Sequence, residues 1–237
     1  FEFQTPDNMP SPIVRIRNGL LGYTEHPVLK NVNLYLGPGD RLGLVGENGA
    51  GKSTFAKTLV QELPLLAGEF GVAPNLMIGY FAQHQLEQLP KDSTPFSVLQ
   101  QKYPKWTSQQ VRTYLGNYEF REDQVFQSIE TLSGGEKARL VLGLLASESP
   151  HLIILDEPTN HLDIEMRQAL TLALQTYEGA VVIISHDRNF LDNNVTSYCY
   201  VNAGCVAFFD AFDEIPFKSA SSSSQEKQPK EIRYIKP

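Results

Sequence analysis

Short apolar runs alternate with segments whose apolar residues recur at helical spacing along most of the chain. The strand-like runs cover residues 13–17, 31–36, 41–45, 76–81, 151–155, 180–184, 198–201 and 205–209. The helical segments cover residues 52–63, 108–115, 135–146 and 164–177, with a short one after Asp187. Strands that alternate with helices in this way predict an α/β fold with a mainly parallel sheet at its centre.

The two ends of the chain differ from this patterned middle. Residues 1–12 contain three prolines and no periodicity, which indicates a linker, and residues 218–237 are rich in serine and predict a flexible tail. Residues 13–217 form the predicted domain. Within it, residues 87–147 have helical segments and few β-branched runs, so we expect a helical sub-lobe inserted into the sheet. The run at 13–17 alternates apolar and basic residues, as an edge strand does.

The composition is that of a globular protein able to bury a substantial core, with 237 residues of which 41% are hydrophobic. No run approaches the roughly 18 apolar residues of a membrane span, and no signal peptide opens the chain. Two cysteines are too few for a disulfide scaffold. We therefore expect a soluble, cytoplasmic protein without a membrane partner. Because the chain begins at Phe1 rather than Met, we also expect it to be part of a longer protein.

Charge is distributed unevenly along the chain, whose formal net charge is −7. Residues 218–237 hold five basic and two acidic residues, a net charge of +3, which leaves −10 for residues 1–217. Phosphate affinity comes from neutralisation by Lys and Arg, so the acidic body disfavours non-specific nucleic-acid binding. Any contact with RNA would have to be local.

A glycine-rich loop stands between the apolar run 41–45 and the helical segment that follows it. It matches the pattern G-x-x-x-x-G-K-[ST] in the strand–loop–helix context that phosphate binding requires. The predicted nucleotide-binding residues are Gly46, Glu47, Asn48, Gly49, Ala50, Gly51, Lys52, Ser53 and Thr54. Backbone N–H groups of the loop would surround phosphates, Lys52 would reach the β- and γ-phosphates, and the Ser53 hydroxyl would ligate Mg²⁺.

Two carboxylates follow the apolar run 151–155, at the end of a predicted buried strand. Ligands bind at the carboxyl ends of strands in α/β sheets. Asp156 would hold Mg²⁺, and Glu157 would polarise the water that attacks the γ-phosphate. Taken alone, the same pattern also fits a strand that runs into a solvated turn. The phosphate loop upstream favours the catalytic interpretation.

The segment Leu132-Ser133-Gly134-Gly135-Glu136 opens a predicted helix and, together with the two motifs above, resembles the signature loop of ATP-binding cassette (ABC) ATPases. The resemblance covers residues 13 to about 212. It implies a P-loop NTPase fold of the ABC type, with a central mainly parallel sheet, an antiparallel β edge and an inserted helical sub-lobe. It also implies ATP hydrolysis with ATP and Mg²⁺ as cofactors.

Further residues match motifs of that family in the expected order. Gln83 matches the Q-loop glutamine, which would contact Mg²⁺ and the attacking water. His186 matches the switch histidine near the γ-phosphate, and Tyr23 matches the aromatic residue that stacks on adenine. Residues 160–163 match the D-loop, which runs along the partner domain.

The signature loop implies a partner, because in this family it contacts ATP bound to a different cassette. Ser133, Gly134, Gly135 and Glu136 would therefore serve the partner's site. The resemblance predicts efficient hydrolysis only when the chain pairs head to tail with a second cassette. That cassette would lie in the same parent chain or, for the isolated domain, in a second copy.

Two segments resemble the ABC-F subfamily, whose members carry two cassettes in one chain and act on ribosomes. The signature continues as Glu136-Lys137-Ala138-Arg139, and the D-loop reads Asn-His-Leu-Asp at residues 160–163. The linker and the compact sub-lobe favour the second, C-terminal cassette. The resemblance thus predicts a cassette that couples ATP to binding of the ribosome and its rRNA through the full-length protein. The alternatives are the ATP-binding subunit of an ABC transporter and a nucleotide-gated interaction module.

Overall fold

The computed structural model describes residues 2–217, except for the side chains of Gln83 and Glu122. The strands are β1 (Val14–Tyr23), β2 (His26–Leu36), β3 (Arg41–Gly46), β4 (Ala67–Val72), β5 (Ile78–Phe81), β6 (Leu152–Asp156), β7 (Ala180–Ile184), β8 (Ser197–Asn202) and β9 (Cys205–Phe209). The α-helices are α1 (Lys52–Leu59), α2 (Gln83–Gln88), α3 (Pro95–Lys102), α4 (Ser108–Gly116), α5 (Gly134–Ala146), α6 (Ile164–Thr176) and α7 (Arg188–Asn194). Short 3₁₀ helices cover Glu122–Phe126, Ile129–Thr131, Pro158–His161 and Phe212–Glu214.

A six-stranded sheet in the order β5-β6-β7-β3-β8-β9 forms the centre of the domain. Its first five strands are parallel, and β9 adds an antiparallel edge. The predicted α/β fold with a mainly parallel central sheet is confirmed. Because parallel strands end at the same edge, the loops after β3, β6 and β7 emerge side by side.

A separate three-stranded antiparallel sheet has the order β2-β1-β4. The prediction that residues 13–17 form an edge strand is wrong, because β1 pairs with β2 on one side and with β4 on the other. The sequence of β4 is AGEFGV, and its side chains are mostly exposed. A strand with two glycines and no apolar alternation carries no strand signal, so the pairing that makes β1 central could not be anticipated.

Both faces of the six-stranded sheet are covered by apolar cores. Leu152 and Ile154 of β6 pack with α1 and the three-stranded sheet, whereas Ile153 and Leu155 pack with α5 and α6 on the opposite face. All four side chains are fully buried. Successive side chains of a strand point to opposite faces, so an unbroken apolar run is what a strand covered on both faces requires.

Helices α2 to α5 lie between β5 and β6 in the chain and carry the apolar residues of the sub-lobe. The sequence prediction missed α2 and α3. The first turn of α3 is set by Pro95 and by a capping box between Thr94 and Ser97, a short polar signal that apolar periodicity does not register. The predicted helix over 52–63 is too long, because α1 ends at Leu59 and Gln61 has a left-handed φ of 63°.

Outside these elements, residues 2–12 have no regular secondary structure, and Phe3 is buried with its ring 6.0 Å from that of Tyr177. The tail predicted at 218–237 lies outside the described residues. The proposed domain boundaries stay predictions. None of the helices described within residues 2–217 combines the length and apolar character that crossing a bilayer requires.

Candidate functional site

A cleft of about 570 Å³ lies where β3, β6 and β7 end. The predicted site residues that line it are Tyr23, Asn48, Gly49, Gly51, Lys52, Ser53, Thr54, Asp156, Glu157 and His186. They come from segments as far apart as β1 and the loop after β7. The fold therefore brings the glycine-rich loop, both carboxylates, His186 and Tyr23 into one cavity.

The phosphate loop has a backbone that only glycine accommodates at two points. Gly46 has a φ of 154°, and a Cβ there would lie 2.3 Å from the carbonyl oxygen of Val201. Gly51, the N-cap of α1, has a φ of 115°, and a Cβ there would lie 2.8 Å from a Val28 side-chain carbon. Without a capping side chain at Gly51, the first N–H groups of α1 remain available to an anion in the cleft.

Lys52 is buried at the floor of the cleft, with 9% of its surface exposed. Its Nζ donates hydrogen bonds to the carbonyl oxygens of Gly46 at 2.7 Å and Glu47 at 3.0 Å. Burial lowers the pKa of Lys52, while Glu157 and Asp156 oppose that shift. The amine is thus a desolvated positive charge whose hydrogen-bond acceptors are two neutral carbonyl oxygens, so an anionic phosphate oxygen would be a stronger acceptor for it.

Asp156 is the last residue of β6, and Glu157 follows it with a left-handed φ of 49°. The Glu157 N–H donates to the Ile184 carbonyl at 2.8 Å, which fixes this unusual backbone against β7. Burial raises the pKa of both carboxyl groups, and Lys52 opposes the shift at each. Among the described residues, no hydrogen-bond partner reaches the buried Glu157 Oε1. A buried carboxylate oxygen that accepts no hydrogen bond from the described residues is free to accept one from a water molecule.

The imidazole of His186 contacts both sides of the cleft. His186 Nε2 lies 3.1 Å from Asn48 Oδ1 in the phosphate loop and 3.7 Å from Glu157 Oε1. The ring is therefore positioned to orient both the loop and the carboxylate. Tyr23 is the last residue of β1, and 47% of its surface is exposed. Its ring is therefore accessible for stacking with another flat ring.

The signature residues lie outside this cleft. Ser133 is the N-cap of α5: its N–H donates to Glu136 Oε2 at 2.7 Å, and its hydroxyl accepts from the Glu136 N–H at 3.2 Å. The Ser133 N–H is also the main cause that lowers the pKa of Glu136. Ser133 and Gly134 are exposed, so they are available to a molecule outside this chain.

Sequence reasoning did not single out some residues that shape the site. Val28 and Ile184 line the cleft as apolar walls, and no local motif marks either of them. Gln83 begins α2, but its side chain lies outside the described part of the chain, so its predicted role stays a prediction. Of the predicted loop residues, Gly46, Glu47 and Ala50 are not part of the cleft lining: Gly46 is buried, Glu47 is exposed and Ala50 is half-buried.

Asp156→Asn should raise the melting temperature of the nucleotide-free chain at neutral pH. Burial raises the pKa of Asp156, so the folded chain binds this proton more tightly than the unfolded chain. The favourable contribution of this proton to the free energy of unfolding is fully present below the ordinary pKa of 3.8. It is lost as the pH rises through the raised pKa of the folded chain. The neutral amide avoids that loss, and we expect about 1 kcal/mol, or roughly 2–4 °C.

Thermal melts at pH 7 and at pH values below 4 would measure this effect, with the exposed Asp92→Asn as the control. The gain should be present at pH 7 and disappear in acid. A variant that melts below the wild type at pH 7 would show that Asp156 stabilises the fold instead.

Comparisons with known proteins show the family to which the chain belongs. The family model described as ABC transporter matches residues 29–160. The probable ATP-binding protein YheS of Haemophilus influenzae is 46% identical over 232 residues, which are 95% of this chain and 36% of that protein. Protein GCN20 of Saccharomyces cerevisiae is 33% identical over 211 residues, 89% of this chain and 28% of that protein. The chain thus spans about a third of the length of the curated relatives it matches.

Two solved structures share the fold. A dimeric ATP-binding cassette in a post-hydrolysis state, bound to ADP and phosphate, matches with a TM-score of 0.67 and 23% identity, covering 83% of this chain and 98% of that one. The ATP-binding subunit of an ABC transporter matches with a TM-score of 0.70 and 20% identity, covering 85% and 91%. The chain belongs to the ATP-binding cassette family and is a cassette of its ABC-F subfamily.

Proposed function

We propose that this chain is the C-terminal ATPase cassette of a longer ABC-F protein and that it binds and hydrolyses ATP in the cleft between β3, β6 and β7. The observation that carries this proposal is that one cleft contains both the buried Lys52 amine and the Glu157 carboxylate, whose Oε1 accepts no hydrogen bond from the described residues. The lysine would bind the phosphates of the nucleotide, and the carboxylate would polarise a water molecule next to the γ-phosphate.

Binding would be driven by charge and by the backbone. Lys52 would move from the carbonyls of Gly46 and Glu47 to the β- and γ-phosphates, which are stronger acceptors. The N–H groups of the loop and of the first turn of α1 would add donors at the positive end of the helix dipole. Tyr23 would stack on the adenine ring at the mouth of the cleft.

The donor set fits Mg²⁺ held with phosphate. Mg²⁺ in nucleotide sites is bound by one or two protein ligands, waters and substrate phosphates rather than by an all-protein cage. In line with this, residues 2–217 as described contain no group of three or more His, Cys, Asp or Glu that could hold a metal by itself. Ser53 and Asp156 would hold Mg²⁺ together with the predicted ligand Gln83, and the ion supplies charge neutralisation of the phosphates.

Hydrolysis would depend on Glu157 as the base that polarises the attacking water. Burial raises its pKa above the ordinary value of 4.5, toward the pH at which the protein works. His186 stands within 3.7 Å of the same carboxylate and would orient it and the γ-phosphate. The water would lose its proton toward Glu157 as it attacks, and ADP and phosphate would leave.

Pairing with a second cassette is the remaining requirement. Ser133, Gly134, Gly135 and Glu136 do not line this chain's own cleft, so their proposed contact with ATP has to be made across an interface. The second cassette would come from the same parent chain or from a second copy of the isolated domain. The dimeric post-hydrolysis cassette with the same fold supports such an arrangement.

We further propose that closure of the paired cassettes on ATP couples to ribosome binding in the cytoplasm, and that hydrolysis couples to release. Support comes from the Glu-Lys-Ala-Arg extension at 136–139 and from membership of the ABC-F subfamily. With −10 net charge on residues 1–217, contacts with rRNA would be made largely by other parts of the full-length protein.

Ribosome co-sedimentation of the full-length protein carrying Glu157→Gln would test this role. We expect ATP to move that variant into the ribosome fraction, because closed cassettes that cannot hydrolyse ATP cannot release. The same protein carrying Lys52→Ala as well should stay at the top of the gradient with or without ATP. A Glu157→Gln protein that binds ATP but never sediments with ribosomes would contradict the role, and recovery with membranes instead would support the transporter alternative.

A further inference from the structure

The loops that follow Glu157 and His186 are both held by one side chain that lies outside the cleft. Arg167, on the first turns of α6, donates from Nε to the Leu162 carbonyl at 3.0 Å and from Nη2 to the Thr159 carbonyl at 2.7 Å. Its Nη1 lies 3.6 Å from Asp187 Oδ2. Three nitrogens of one planar group therefore bind three different groups.

Two of these groups belong to the segment that begins at Glu157. Thr159 lies in the 3₁₀ helix Pro158–His161, is 4% exposed, and is separated from the proposed base by one residue. Leu162 ends the same turn. A backbone held at two carbonyls three residues apart cannot rotate freely, so Arg167 limits how far the segment carrying Glu157 can shift.

The third group belongs to the segment that carries His186. Asp187 is the N-cap of α7, and its Oδ1 accepts from the Phe190 N–H at 3.0 Å. Its own N–H donates to the Ser185 hydroxyl at 3.0 Å. This carboxylate is therefore a fixed point directly next to the switch histidine, and its second oxygen faces Arg167.

We infer that Arg167 is a positioning residue for ATP hydrolysis. It connects the segments that follow β6 and β7 and thereby fixes the position of Glu157 relative to His186. The inference rests on the proposed function for its link to hydrolysis. Arg167 does not line the cleft, so it acts through the two segments and not by contact with nucleotide. A planar guanidinium suits this task because its donors are fixed relative to one another, whereas a lysine offers one compact charge.

The expected effect falls on turnover and not on binding. Arg167→Lys keeps the charge but cannot satisfy two carbonyls and a carboxylate at once. In the full-length protein we expect kcat for ATP hydrolysis to fall by about tenfold to a hundredfold, because small displacements of reacting groups are costly. The KM for ATP should change by less than about twofold, since the phosphate loop is untouched.

A variant of Asp187, which pairs with Arg167, and a control variant make the test more specific. Asp187→Asn removes the ion pair but retains a side chain that caps helices well. Combined with Arg167→Lys, it should add much less than the product of the single effects, because both break one connection. Arg188→Lys is the control: Arg188 also pairs with two carboxylates, at 3.2 Å to Asp192 and 2.9 Å to Asp213, but holds neither segment.

Amide hydrogen exchange of the full-length protein gives a second reading that does not need activity. Arg167→Lys should speed exchange in residues 158–162 and in residues 185–187 together, and Arg188→Lys in neither of these segments. Wild-type kcat in Arg167→Lys, an increase confined to KM, or faster exchange in one segment alone would overturn the inference. If the wild type itself hydrolyses no ATP, the proposed function fails, and the exchange pattern still decides whether Arg167 ties the segments together.

Discussion

Lys52→Ala should remove ATP binding almost completely, with the dissociation constant rising by about a hundredfold or more. The Lys52 amine is buried, close to the Asp156 and Glu157 carboxylates, and is the main positive charge lining the cleft. Charge-assisted hydrogen bonds to phosphate are about twice as strong as neutral ones, and losing them leaves the phosphates facing two carboxylates. Titration with a fluorescent ATP analogue, with Mg²⁺ present, measures the loss.

Two further variants separate a loss of binding from a loss of fold. Lys52→Met keeps the aliphatic stem in its buried position and should lose binding to the same extent, while melting close to the wild type. Lys57→Ala changes a lysine of the same helix outside the cleft and should alter affinity by less than about threefold. Near-normal ATP affinity in both Lys52 variants would refute the role given to this lysine.

Glu157→Gln should leave ATP affinity within a few-fold of the wild type and lower turnover by about a hundredfold to ten-thousandfold. The amide keeps the size of the side chain but cannot accept the proton of the attacking water. Single-turnover phosphate release, measured beside nucleotide occupancy on the full-length protein, separates the two quantities. Glu62→Gln, an exposed change outside the cleft, is the matched control.

The pH dependence of the wild type provides an independent check on the same residue. Because burial raises the pKa of Glu157, the base becomes protonated at a higher pH than an exposed glutamate would. Activity should therefore decline as pH falls through that raised value, and the residual activity of Glu157→Gln should lack this decline. A variant that turns over at the wild-type rate would show that another group accepts the proton.

The parts of the fold that were predicted correctly share a property: their signal is local. The strands β3, β6 and β7 contain the buried runs 42–45, 152–155 and 180–184, which have no polar side chain, and polar residues follow each run within two positions. Such runs are typical of strands that are covered on both faces, because both sets of side chains then have to be apolar. Their parallel order then places the phosphate loop, Asp156 and His186 at one edge.

The parts that were missed are not marked by a pattern of apolar residues. β4 is an exposed, glycine-containing strand that exists because β1 offers its second edge, and α3 depends on a polar cap instead of an apolar stripe. The pairing of β4 with β1 is supplied by the assembled sheet, whereas the cap of α3 is a local signal made by polar residues. A pattern of apolar residues does not contain them.

The sequence by itself determined which groups can do chemistry in this protein. The loop 46–53 and the Asp156–Glu157 pair are contiguous motifs whose predicted roles come from residue types at short fixed spacing, and the predicted role of the signature at 133–136 comes from the family resemblance. Only the tertiary structure decided how these groups meet. The contact between His186 and Asn48 joins residues 138 positions apart, and the two carbonyls and the carboxylate around Arg167 come from two separate loops. Such contacts depend on strand order and on the register in which loops leave the sheet, and these are set by packing across the whole domain.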